Sequence, residues 1–433
     1  MPNRPIIDYG DGGTNKFITP MYYNPLLDKM QPGITGSLDA ATLDAFGRLR
    51  ISQPHVIFDS KQLIDNRPLY WDDQQTSGTG TTSTYNLGQA STTIAVSAST
   101  AGTRVRQTKR RFNYQPGRSQ LVLMTGVLGA AVTGVTRRIG LFDDNNGILF
   151  ELAGAALRFR IRNKTNGSIE YETVEQADWN IDSLDGTGPS GKTIDTSKAQ
   201  IFLIDYEWLG TGSVRMGFVI DGIFVYCHAF HHANLVDKVY MATPNLPLRY
   251  EISNGGSGGA ASLVCICASV ASEGGREQNG FDISTSRGAN PFVTLNDSDV
   301  YPIIAVQLRS GCYDAEIDIK SLSMICTTTA AFRWVLYYNP TLTGTALSYT
   351  GVPYSAVRAA IGTDNSTKIV SGLVMTEGYG QAQFEGTINS EIKNKVSLGV
   401  GITGNPDTIV LGIQRFSSQA ETFYASLGWN ESV

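Results

Sequence analysis

Residues Ile201 to Ile252 read IFLIDYEWLGTGSVRMGFVIDGIFVYCHAFHHANLVDKVYMATPNLPLRYEI. The opening run places Phe202, Ile204, Tyr206 and Trp208 on one side of an extended chain and Asp205 and Glu207 on the other, the period-2 pattern of a half-buried strand. Gly210-Thr211-Gly212 supplies a permissive turn. A second run alternates Val214, Met216, Phe218 and Ile220 with Arg215 and Gly217, and it ends at Asp221-Gly222, the pair favoured by a two-residue type I′ hairpin. A third run, Ile223 to Phe230, follows at once. Three successive strands cannot bury their shared apolar face alone, so this meander demands a second sheet to pack on.

The rest of the chain has the same character. Its 433 residues suffice for two or three domains, and 46 glycines, 19 tyrosines, 17 phenylalanines and a charged fraction of 17% point to β-structure. The reading is all-β: an extended, proline-punctuated N-terminal arm over 1–60, a lectin-like β-sandwich over 61–285 and a second sandwich or jelly roll over 286–433. Predicted strands include 92–97, 104–111, 119–128, 137–142, 148–152, 157–161, 263–270, 301–309, 315–326, 332–338, 367–376, 395–402 and 408–416. Gln74 to Gly80 reads as a loop, and Leu38 to Phe46, Ser355 to Ile361 and Ser390 to Lys395 as short helical candidates. The net charge of −5 argues against a dedicated nucleic-acid binder. Neither a secretory signal nor a membrane span is expected, since the most apolar window, Leu121 to Val135, is interrupted by Gly126, Gly129 and Gly134. Five cysteines inside strand-like runs read as buried reduced thiols.

Several motifs invite a chemical reading. GTGPSGKT, Gly186 to Thr193, matches a phosphate-binding loop, with IFLID at 201–205 imitating the strand that would hold magnesium. A buried strand must precede such a loop and a helix must follow it, but DWNIDSLD is polar and only eight residues separate Thr193 from the next strand. His228, His231 and His232 form the one histidine cluster; on a strand, His228 and His231 point to opposite faces, which favours hydrogen bonding or a subunit contact over a metal. Asp143 to Gly147 with Glu151 is too short for a calcium loop and reads as a tight turn. Cys265 and Cys267, two apart on one strand face, lack the second pair of a zinc ribbon. No catalytic, cofactor or metal residues are expected. The basic run Arg104, Arg106, Lys109, Arg110, Arg111, continued by Arg118, Arg137, Arg138, Arg158, Arg160 and Arg162, has two readings. It faces nucleic acid or an acidic partner, or it pairs with acidic neighbours such as Glu170, Glu172 and Glu175.

Segments along the chain resemble a group of virion structural proteins of tailed bacteriophages. They are DAFGRLRIS (Asp44 to Ser52), FDSKQL (Phe58 to Leu63), WDDQQTSGTG (Trp71 to Gly80), TKRRFNYQPGRSQLVLMTGVLG (Thr108 to Gly129), RIGLFDDNNGILFE (Arg138 to Glu151), YMATPNLPLRYEI (Tyr240 to Ile252) and FRWVLYYNPTLTG (Phe332 to Gly344). The resemblance implies a capsid-decoration or tail-fibre subunit, assembled in the host cytoplasm into the virion, with its own copies and other virion proteins as partners and no catalytic residues. Expected assembly contacts are Phe17, Tyr22, Leu26, Phe46, Arg48 and Arg50 in the arm, and His228, His231, His232, Pro244 and Pro247 beyond the meander. The alternative is an adhesin for host-surface glycans, with Trp71, Trp179 and Tyr250 as stacking aromatics.

Overall fold

The computed structural model describes residues 18–24, 29–34, 44–45, 54–277, 280–362, 365–381, 383–387 and 397–432. Within them the chain is all-β, and no helix is long and apolar enough to cross a membrane.

Residues 55–273 form two packed antiparallel sheets. The front sheet runs in the spatial order Glu170–Glu175, Ala156–Asn163, Gly147–Ala153, Val135–Phe142, Leu248–Gly255, Ala101–Thr108, Trp71–Gly78. The back sheet runs Ile223–Phe230, Val214–Ile220, Gln200–Tyr206, Ser119–Val127, Ala261–Glu273, Ser91–Val96, Thr81–Asn86, and His55–Ser60 pairs beside the far end of Ala261–Glu273. The 201–230 meander forms as its periodicity predicts. Phe202, Ile204, Tyr206, Val214, Met216 and Phe218 enter the core, and Asp221 and Gly222 take φ of +53° and +76°, both in the left-handed region a type I′ turn requires.

A second pair of sheets follows. One orders Phe281–Ser286, Thr422–Ser432, Glu316–Cys326, Gln383–Thr387; the other orders Thr350–Gly351, Val357–Ile361, Tyr301–Leu308, Thr408–Arg415, Ala331–Thr343, Lys368–Gln381. Their core joins Ile317, Leu322, Leu427 and Trp429 to Ile304, Leu336 and Leu411. Phe281–Ser286 pairs with Thr422–Ser432, so the expected division after 285 falls inside a strand of this second sandwich.

Several expectations change. Gln74 to Gly78 is strand, because Asp73 on the same edge accepts from Arg104 and so ties a polar segment to Ala101–Thr108. Ser355 to Ile361 is not helical: Val357–Ile361 pairs with Tyr301–Leu308, and Val357 and Ala359 enter the core between the two sheets. Residues 397–402 form no strand beyond a bridge of Val400 to Pro406. Cys265 and Cys267 do not share a face. A bulge at Ile266 leaves Cys265 in the core and turns Cys267 to the outer side, a consequence of the one extra residue. The five cysteines are free thiols. The 390–395 helical candidate, and the 38–46 one apart from Asp44 and Ala45, lie outside the described residues.

Phe150 ties the front sheet to the back. Its ring lies 5.5 Å from Phe159, 5.8 Å from Phe202 and 5.1 Å from Phe218. Phe150→Ala is expected to lower stability by about 3–5 kcal/mol, measured by chemical denaturation, through lost transfer energy and the cavity left behind.

Candidate functional site

The outer face of the front sheet carries the basic stripe. Cross-strand register sets Glu175 opposite Arg158, Arg158 opposite Glu151, Glu151 opposite Arg138, and Arg138 opposite Glu251. Charges therefore alternate across five adjacent strands, the arrangement in which directly opposed side chains attract. Glu151, 1% exposed at its side chain, meets Arg138 at 2.7 Å, Arg160 at 3.0 Å and Arg158 at 3.3 Å. Arg138 also reaches Glu251, whose other oxygen meets Arg249 at 3.2 Å. Arg160 and Arg162 lie over the Tyr171 ring, 3.7 and 5.3 Å from its centroid. Of the acidic neighbours read from sequence, Glu175 pairs with Arg158 at 2.6 Å, Glu172 with His232 and Glu170 with Lys238. The principal partners, Glu151 and Glu251, escaped that reading because they come from strands whose adjacency only the sheet order reveals.

This chemistry is structural. Burial would raise the Glu151 carboxyl, but Arg138 and Arg160 outweigh it and hold the group below the usual carboxylate range. A carboxylate kept ionised by three guanidiniums is a poor proton donor, the opposite of the raised acid that glycoside hydrolysis needs.

The stripe's other end forms a seam between the two sandwiches. Arg110 and Arg276 both donate to Glu316 at the start of Glu316–Cys326. Burial raises the Glu316 carboxyl and the two guanidiniums more than reverse this, leaving it lowered. Around this clamp, Asn245 donates to the Asp314 carbonyl at 3.0 Å, the Val400 amide to the Lys109 carbonyl at 2.9 Å and the Ile402 amide to Asp72 at 2.7 Å. A Cβ on Gly399 would stand 2.7 Å from the Lys109 carbonyl oxygen, so the close approach needs glycine here.

The stacking aromatics expected for a glycan are core residues. Trp71 is 5% exposed and donates its indole N–H to Ser60; Trp179 is 6% exposed and stacks on Phe159 at 4.2 Å; Tyr250 is 1% exposed and donates to the Thr125 and Cys267 carbonyls. None has a face free for a sugar, because each ring fills space between the sheets. The histidines diverge. His228 is buried, its pKa pushed by burial down to about 4, and its Nδ1 accepts from the Asn180 amide. His231 is exposed beside Ser213, and His232 is buried against Tyr240 with a nitrogen 3.1 Å from Glu172. Among the described residues no cluster of metal-ligating side chains occurs. Pro247 is buried and accepts from the Phe142 amide, and Pro244 accepts from Tyr206 at 3.3 Å, so this segment packs on its own sandwich. Lys192 of the GTGPSGKT loop pairs with Asp221 at 2.6 Å on the surface, and no helix follows it. Asp143 accepts from the Asn145 and Asn146 amides and pairs with Arg111, closing a turn rather than a calcium loop. Asp205, expected on a polar face, is fully buried, held by Arg215 at 2.5 Å and Tyr226 at 2.7 Å. Tyr22 lies in Ile18–Asn24, which pairs with Lys29–Ile34; Phe17, Leu26, Phe46, Arg48 and Arg50 lie outside the described residues.

No protein-family model and no curated protein matches the chain. Among solved structures it is similar to a β-glucanase of Bacillus licheniformis (11% identity, 51% of this chain and 99% of that one, TM-score 0.34). It is also similar to a legume lectin-like domain from Entamoeba histolytica (12% identity, 49% and 96%, TM-score 0.31). A third is a protein of unknown function from Shewanella oneidensis (11% identity, 57% and 100%, TM-score 0.33).

Replacing Glu151 by Gln leaves three arginines without their shared carboxylate, at an expected cost of about 3 kcal/mol, the lower end for a broken buried pair because the arginines are partly solvated. The wild-type advantage over Glu151→Gln is expected in full above pH about 4.3, the unfolded carboxylate value, and lost as pH falls through the lower folded value. Urea titrations of both proteins from pH 7 to pH 3 read this directly.

Proposed function

We propose that the chain is a non-enzymatic structural subunit of a tailed-bacteriophage particle, assembled from copies of itself. The observation that carries this reading is the Lys368–Gln381 strand. At 14 residues it is the longest in the structure, and it lies at the edge of its sheet. Among the described residues it pairs only with Ala331–Thr343, apart from a bridge of Ile369 to Val300. Val370, Leu373, Val374 and Tyr379 are exposed along it, and exposed Phe416 stacks on Tyr379 at 5.9 Å. Long edge strands in solitary proteins are blunted by proline, by free lysines or by bulges, and this one has register irregularities at Val370 and Met375. This strand has no proline, and its one lysine, Lys368, is engaged by Asp297 and Asp299. An apolar edge of this length that no described strand covers suits burial against a second copy, strand to strand.

Three further features support the reading. The prominent buried carboxylates, Glu151 and Glu316, are saturated by arginines and so unsuited to acid–base work. The two sandwiches are joined by ion pairs and hydrogen bonds. The resemblance to virion proteins extends over most of the chain and brings no catalytic residues. The N-terminal arm, by this account, docks the subunit on capsid or tail.

Analytical ultracentrifugation tests the self-association. Wild type is expected to sediment as an oligomer and Val374→Lys as a monomer with an unchanged circular-dichroism spectrum. A monomeric wild type, or a Val374→Lys oligomer of unaltered size, contradicts the proposal.

A further inference from the structure

A cleft of about 520 Å³ opens at the seam between the sandwiches. One wall is the His55–Ser60 strand, contributing five consecutive residues, His55 to Asp59. The others are Arg67, Leu69 and Tyr70, then Lys109 and Arg110 just past Ala101–Thr108, Arg276 after Ala261–Glu273, and Tyr338 and Ser397 of the second sandwich.

Two independent features identify an occupant. The first is backbone. His55–Ser60 pairs along one edge with Ala261–Glu273, and among the described residues no strand pairs with its other edge. A strand whose free edge lines a cleft offers a ladder of amides and carbonyls to an added extended chain. Val56, 53% exposed on this strand, and Leu69, 42% exposed, provide apolar contacts for that chain's side groups.

The second feature is charge. Arg67, Lys109, Arg110 and Arg276 line the cleft, with Asp59 the one carboxylate among its lining residues. Arg110 and Arg276 share Glu316, and Lys109 stands 3.5 Å from Asp407. Arg67 has no carboxylate within ion-pairing distance among the described residues; its guanidinium lies 4.9 Å from the Tyr70 ring centroid, and its buried Nε has no hydrogen-bond partner. The buried Nε is out of a ligand's reach, but a guanidinium that lines a polar cleft with no carboxylate paired to it is suited to take one from a ligand. The residue is also fixed in place. Arg67 takes φ of +56°, held there by Asp65 accepting from its amide at 2.9 Å and by its carbonyl accepting from the Tyr70 and Trp71 amides at 3.0 and 2.9 Å. Non-glycine residues in that region cost free energy that the surroundings must supply, and they concentrate where a side chain must be aimed.

We infer that the seam cleft binds an extended acidic peptide segment of a partner protein, added as a strand to the free edge of His55–Ser60 with a carboxylate on Arg67. An acidic sugar would use the arginine but not the strand edge, and the run of five edge residues favours the peptide. The site is separate from the Lys368–Gln381 edge, so each can fail without the other.

Fluorescence anisotropy on the full chain tests this with a labelled hexapeptide alternating valine and aspartate. The expected result is saturable binding, weakened about tenfold, or 1.4 kcal/mol, by Arg67→Ala. It is equally weakened when alternate peptide nitrogens are methylated, and absent for the valine–lysine counterpart. Circular dichroism verifies that Arg67→Ala is folded, and Lys198→Ala, remote in sequence from the cleft, is expected to bind as wild type. No binding of the acidic peptide, equal binding by Arg67→Ala, or indifference to N-methylation overturns the inference, as does binding of digalacturonate in its place.

Discussion

Glu316 is the point on which the arrangement of this molecule turns. A single carboxylate, 3% exposed at its side chain, takes guanidiniums from Arg110 of the first sandwich and from Arg276 just past that sandwich's last strand. Burying three charges together is costly, and the attraction repays that cost only when geometry and further hydrogen bonds cooperate. Here they do: the Val400 and Ile402 amides, the Asn245 amide nitrogen and the Arg111–Asp314 pair at 3.4 Å surround the same seam. The clamp contributes orientation more than stability. It sets the second sandwich against the first so that both supply walls to one cleft.

The same logic governs the front sheet. The apparent excess of arginine between 104 and 162 is not a free basic surface, because Asp73, Glu151, Glu175, Glu251 and Glu316 engage it across strand boundaries. Arg137 is held differently, donating to the Ala130 carbonyl at 2.8 Å. Such alternation specifies register: shifting one strand by a residue would turn a row of charges into the core. Charge in this protein builds sheets and joins them.

Much of the fold was legible in the chain itself. Strict alternation in Phe202–Ile204–Tyr206 located a strand and its buried face, and Asp221-Gly222 located the hairpin. Three things were not legible. Polar edge strands such as Trp71–Gly78 carry no hydrophobic period, since neither face is deeply buried. Bulges such as the one at Ile266 shift register by one residue, so spacing misassigns Cys267. Burial of outer-face residues depends on what lies over them, which placed Asp205 in a buried pair and Trp71, Trp179 and Tyr250 in the core rather than at a sugar. The candidate site was the least legible part, because its cleft joins residues from 55 to 397 and no local motif encodes that meeting.

If Glu316 makes two sandwiches one unit, the unit should unfold as one. Differential scanning calorimetry of the full chain is expected to give a single cooperative transition for wild type, resolving into two for Glu316→Gln as each sandwich melts alone. Two separate transitions in wild type, unchanged by Glu316→Gln, would contradict the account.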